Sequence, residues 1–69
     1  MDKAVLIEAM AAAGYEYDDI GSHDEWVNFF SDYGSFSFDS WQEVEDWLRG
    51  VVFDDPDISD LVERIMRGE

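Results

Sequence analysis

Seventeen consecutive residues, Gly34 to Gly50 (GSFSFDSWQEVEDWLRG), constrain this chain most, because they hold a strand signal, a helix start, an apolar stripe and a helix stop in one run. Phe36-Ser37-Phe38-Asp39 alternates with the period of two that a strand requires. Ser40-Trp41-Gln42-Glu43 then has the capping-box spacing, in which a Ser hydroxyl takes the amide three residues on and the Glu carboxylate reaches back. The spacing predicts a helix over about 40–49, with Gly50 closing it.

A weaker copy of this grammar lies upstream. Tyr15-Glu16-Tyr17-Asp18 reads as a short strand, Asp19-Ile20-Gly21 as a turn, and Ser22-His23-Asp24-Glu25 as a second capping box. Trp26, Phe29, Phe30 and Tyr33 recur at helical spacing and predict a helix over about 23–33, with Gly34 placed as a left-handed residue past its end. The match suggests two similar units, 15–34 and 36–50, whose strands pair with each other while their helices cover one face. A shared need for caps and aromatic strands would produce the same match without duplication.

Two further helices frame these units. Asp2 is placed to cap a first helix over about 3–13, whose Val5, Leu6, Ala9, Met10 and Ala13 fall at helical spacing before Gly14. Val51-Val52-Phe53 is an apolar connector, after which Asp55-Pro56 gives a cap residue followed by Pro at the first helical position. Ile58, Leu61, Val62 and Ile65 form the buried stripe of this last helix, Arg64 and Arg67 suit its C-terminal dipole, and Gly68 follows. The expected architecture is therefore a single domain spanning 1–69, α+β and predominantly helical. It has about four short helices and a small two-stranded β element in the order α-β-α-β-α-α.

Composition sets the remaining bounds. A 69-residue chain buries only about 60% of the surface its unfolded form exposes, and its stability is expected at roughly 3–5 kcal/mol. It has no Cys to staple that core, so an oxidising compartment offers nothing and a cytoplasmic setting is expected. Glu8 interrupts the N-terminal apolar run, which reads as a mature helix instead of a signal segment, and no apolar stretch reaches membrane-spanning length. The chain carries eighteen Asp and Glu against four Lys and Arg, a net charge of −14. With 16% aromatic residues it nevertheless belongs with folded proteins.

The chemistry available is limited. Counting a calcium loop from Asp55 puts Asp57 and Ser59 at ligand positions, but Asp60 stands where Gly is needed and Met66 where the bidentate Glu is needed. No metal site or cofactor is expected. His23 is the one imidazole, and its neighbours Ser22 and Asp24 would not face it on a helix, so nucleophile–base arrangements lack material and no enzyme is expected. Phosphate contacts need cations, which argues against direct nucleic-acid binding. Trp26, Trp47, Phe29, Phe30, Phe36 and Phe38 read as core, whereas Tyr17, Tyr33 and Trp41 lie nearer element edges, where an exposed ring within an acidic field could anchor a partner.

The acidity has a local explanation in part. Asp24, Glu25, Asp39, Glu43, Asp55 and Asp57 sit near expected helix starts, where carboxylates are favourable. Glu45–Arg49, Asp60–Arg64 and Glu63–Arg67 are spaced i, i+4 in the helix-supporting orientation. Neither fact accounts for the scarcity of cations, since Arg49 is the one basic residue between Glu16 and Glu63. In charge, size and lack of catalytic motifs the chain resembles the acidic inhibitors that phages and mobile elements direct against restriction or CRISPR nucleases, a likeness of type carried by no shared motif.

The expected function is a nucleic-acid mimic that blocks the basic groove of a DNA- or RNA-binding protein. Its expected partner-binding residues are Asp24, Glu25, Asp32, Tyr33, Trp41, Glu43, Glu45, Asp46, Asp54, Asp55, Asp57 and Asp60. The alternatives are an acidic adaptor that docks a basic partner without mimicry, or a domain whose acidity serves solubility alone. Self-association into a homodimer is also open.

Overall fold

The computed structural model describes residues 2–20 and 26–68. Its elements run α1 (Lys3–Ala12), β1 (Glu16–Tyr17), β2 (Val27–Ser31), β3 (Gly34–Phe38), α2 (Trp41–Gly50) and α3 (Pro56–Met66). The strands form an antiparallel sheet in the order β1-β2-β3. This overturns the expectation of about four helices with a two-stranded element: there are three described helices, three strands, and β2 lies between the two strands expected to pair with each other.

The difference in element type is confined to residues 26–34, and its cause is physical. Trp26, Phe29, Phe30 and Tyr33 do fall at helical spacing, but Val27 and Phe29 also alternate with period two, and both are fully buried. Val, Phe, Tyr and Trp fit a half-buried pleated surface well, whereas Asn28, Ser31 and Asp32 are weak helix formers. Gly34 then serves a hairpin instead of a helix end. β2 and β3 pair from Val27↔Phe38 through Ser31↔Gly34, leaving Asp32 and Tyr33 as a two-residue turn. Neither turn residue has positive φ, so Gly34, at φ 127°, supplies the left-handed twist that realigns the strands. The upstream capping box, Ser22 to Glu25, lies outside the described residues.

The other elements form where the sequence places them, within a residue or two. Asp2 caps α1 by accepting from the Ala4 amide at 3.1 Å, and Asp55 caps α3 by accepting from the Asp57 amide at 2.9 Å. Ser40 Oγ accepts from the Glu43 amide at 3.2 Å, while Glu43 reaches one residue beyond the cap and accepts from the Asp39 amide at 2.9 Å. Gly14 and Gly68 follow α1 and α3 at positive φ.

The helices lie on one face of the sheet. Leu6, Ala9 and Met10 of α1, Val44 and Leu48 of α2, and Val62 of α3 meet Val27, Phe29 and Phe38 in one core. α1 packs most extensively on α3 and also touches α2 and β1. α2 lays two indoles on the inner aromatic face: Trp47 sits 5.3 Å from Phe36 and 5.9 Å from Phe38, and Trp41 sits 5.5 Å from Tyr17 and 6.3 Å from Phe29 between ring centroids. Such tilted and edge-on pairs contribute about 0.5–1.5 kcal/mol each beyond area burial, a useful supplement where the aliphatic core is small. Leu61, expected in the buried stripe of α3, is instead about half exposed, and Val62 alone of that stripe is fully buried.

Candidate partner-binding surface

Strand alternation decides what the uncovered side of the sheet carries. Val27 and Phe29 point to the core, so Trp26, Asn28 and Phe30 take the opposite side. Trp26 and Phe30 were expected in the core and are instead 42% and 41% exposed. They were misplaced for the same reason as the helix: a helical stripe puts both with Phe29, whereas a strand separates them from it. The signal that could have found them was the Val27/Phe29 alternation.

A polar ladder crosses this outer face. Ser37 Oγ donates to Asn28 Oδ1 at 2.8 Å, and Asn28 Nδ2 donates to Asp18 Oδ2 at 2.9 Å, tying all three strand segments together. Glu16 stands directly opposite Phe30 in the β1–β2 register. A hollow of about 340 Å³ opens beside them, lined by Ala11, Gly14, Glu16, Phe30, Ser31 and Asp32. An exposed phenyl ring that shares a hollow with two carboxylates is a local environment that favours a guanidinium or ammonium, through the ring quadrupole and through charge.

The expected partner-binding residues divide by what holds them. Asp24 and Glu25 lie outside the described residues. Tyr33 is fully exposed at the tip of the hairpin, next to exposed Asp32. Trp41 is half-buried against Tyr17 and Phe29, with Lys3 Nζ 5.6 Å from its ring, so it serves packing; Tyr17, likewise expected near an exposed edge, is half-buried with it. Glu43 and Asp46 are exposed on α2, Glu43 in the cap and Asp46 accepting from Gln42 Nε2 at 3.1 Å. Glu45 pairs with Arg49 at 3.3 Å and Asp60 with Arg64 at 3.6 Å, while Glu63 reaches Arg67 at 4.0 Å. Asp54, Asp55 and Asp57 cluster at the start of α3, where Asp55 alone has a capping bond.

No described charged side chain is buried. Hydrogen bonds from neutral donors to Asp2, Glu43, Asp46 and Asp55 orient these carboxylates without cancelling their charge. Glu8, Glu16, Asp19, Asp32, Asp39, Asp54 and Asp57 have neither a side-chain hydrogen bond nor an ion pair among the described residues. The three arginines sit toward the C-terminal ends of α2 and α3, and Lys3 at the start of α1, so the sheet and the first half of α2 contain no cation.

Glu43 and Asp46 lie three residues apart on one side of α2, an axial spacing of about 4.5 Å, and Asp39 precedes the extended cap residue Ser40. One strand of duplex DNA carries a charge every ~3.4 Å of axis. The spacing of this one pair is thus wider than that of successive phosphates by less than twofold. Over the whole 4745 Å² surface the average is one net negative charge per about 340 Å², against about 110 Å² for DNA as a cylinder of ~10 Å radius. The surface average is thus about threefold below that of duplex DNA.

Among the described residues, no three His, Cys, Asp or Glu side chains converge as a metal site would require, and no helix is long and apolar enough to cross a membrane. Compared with known proteins, the chain matches no family model, no curated protein and no solved structure.

Proposed function

We propose that this chain is a non-catalytic acidic binding protein that mimics a nucleic-acid backbone and occupies the basic groove of a DNA- or RNA-binding protein, in the manner of an anti-restriction or anti-CRISPR inhibitor. The single observation that carries the reading is that the sheet, its hairpin and the first half of α2 present the solvent-facing carboxylates Glu16, Asp32, Asp39, Glu43 and Asp46 and contribute no Lys or Arg of their own, while Lys3 of α1 lies over the ring of Trp41. Long-range attraction would speed the encounter, since steered association rises well above the ~10⁵–10⁶ per molar per second of neutral pairs. Phe30, which lines one hollow with Glu16 and Asp32, would supply a short-range contact that fixes the pose. Both partners would meet in the cytoplasm.

A competition experiment tests this. A basic DNA-binding protein is bound to a labelled duplex, and this chain is added at increasing concentration and at several salt concentrations. Loss of the labelled complex, with inhibition that weakens steeply between about 50 and 200 mM salt, is the expected result. The exposed Phe30 and Trp26 also favour a second reading, an acidic adaptor that binds through short-range contacts. A ternary complex with the duplex retained would establish that reading and remove mimicry. If binding persists unchanged after Glu16→Lys, Asp32→Lys and Asp46→Lys are combined, the acidity is not what the partner reads.

A further inference from the structure

We infer that the open edge of β3 takes up an extended, lysine- or arginine-rich segment of a protein partner as a fourth strand, an inference that rests on the reading of the chain as a docking protein for basic partners. The register shows which backbone groups are free. The Asp18 amide donates to the Asn28 carbonyl at 2.9 Å, so Asn28 and Phe30 turn their backbone groups toward β1, and Val27, Phe29 and Ser31 turn theirs toward β3. On β3 their partners Phe38, Phe36 and Gly34 face β2, and Ser35 and Ser37 therefore face away from the sheet.

Both serines are exposed, and among the described residues their amides and carbonyls have no hydrogen-bond partner. The next outward amide along the alternation, that of Asp39, is closed off by Glu43. Two donors and two acceptors are left in a row, the complement that an incoming strand needs.

The two edges of the sheet are unlike. β1 is two residues long and carries Glu16, which is how proteins usually blunt an edge. β3 is five residues long, about 17 Å, and contains no charge and no proline. Charge selects the occupant. A second copy would bring its own −14 against the first at distances comparable to the ~8 Å screening length of physiological salt, whereas a basic segment meets Asp32 at one end of the edge and Asp39 at the other. One row of the incoming side chains would lie beside Ser35 and Ser37 on the polar outer face, and the other beside half-buried Phe36. The fitting segment alternates basic and apolar residues.

The test uses the isotope-labelled full chain and the capped heptapeptide Lys-Val-Lys-Val-Lys-Val-Lys at about 20 mM salt. Amide exchange at Ser35 and Ser37 is expected to slow at least tenfold on saturation, while Phe36 and Phe38, already paired to β2, change little. The same peptide methylated at every amide nitrogen keeps its charge but cannot join a ladder, and is expected to bind at least tenfold more weakly. Ser35→Pro removes one outward amide and no bond to β2, and should weaken the unmethylated peptide to a similar extent; the methylated peptide answers the question even if that variant does not fold.

Equal binding of both peptides, with changes confined to the acidic residues of α2 and α3, would overturn the edge while leaving acidic docking intact. Protection of Ser35 and Ser37 that grows with protein concentration in the absence of peptide would make the occupant a second copy and overturn the inference. No binding of either peptide at this salt would overturn both the edge and the docking reading beneath it.

Discussion

The two faces of the sheet use the same kinds of residue to opposite ends. On the inner face, Phe29, Phe36, Phe38, Trp41 and Trp47 stack on one another and on the aliphatic core; on the outer face, Trp26 and Phe30 stand nearly half exposed among Glu16, Asp18, Asn28 and Ser37. One strand, β2, contributes to both sets in adjacent positions, Phe29 inward and Phe30 outward. Aromatic content therefore does not measure core size in this chain. What matters is the parity of each ring along the strand, and neighbours as close as Phe29 and Phe30 should behave in unrelated ways.

The sharpest way to break that contrast is to truncate each in turn. Phe29→Ala removes a fully buried ring and should cost about 3–5 kcal/mol, the whole stability expected of a chain this size, so the variant should be unfolded at 25 °C by circular dichroism. Phe30→Ala should lose less than about 1 kcal/mol in urea denaturation while weakening partner binding. Similar losses at the two positions would mean that the faces are not distinct.

Two glycines extend the comparison to the backbone. At Gly34 the space around a new Cβ is empty, so Gly34→Ala should cost only what its φ of 127° imposes, about 1–2 kcal/mol. Gly50 ends α2 at an ordinary φ, also in open space, and Gly50→Ala should stabilise the chain by roughly 0.5–1 kcal/mol. Opposite signs in thermal denaturation would place the strain in the hairpin. Equal signs would mean that Gly34 is not holding the turn.

These positions also mark how far the sequence could be read. Wherever a cap residue, a turn glycine and a single period agree, as at Asp2, Ser40-Glu43 and Asp55-Pro56, the helix is found within a residue or two of its expected bounds. Between 26 and 38 the periods compete: Trp26, Phe29, Phe30 and Tyr33 satisfy a helix, Val27 and Phe29 satisfy a strand, and local propensity cannot decide because pairing with 34–38 does. That long-range term is absent from any short window of sequence. The carboxylates were legible as a count, and so were the three i, i+4 pairs, but their division into capped, paired and unengaged groups required the coordinates. The uncovered sheet face and the open β3 edge were not legible at all, since both follow from the strand that sequence periodicity reads as a helix.

The smallest expected effect discriminates best between the charge-driven reading and an ordinary surface. Raising sodium chloride from about 20 to 500 mM weakens the three arginine pairs on the helix surfaces, each a minor contribution in water. The same salt relieves repulsion among fourteen uncompensated charges held within a radius of gyration of 11.3 Å. At a separation of ~15 Å in water each pair of charges costs about 0.3 kcal/mol, and about ninety such pairs exist, so the folded chain needs to carry only a small fraction of that sum in excess of the unfolded one for repulsion to win. Thermal stability should accordingly rise with salt, by a few degrees, over the same range in which partner binding falls. A melting temperature that drops with salt would show that the arginine pairs outweigh the field, and a surface with so little self-repulsion would have little long-range attraction to offer a basic groove.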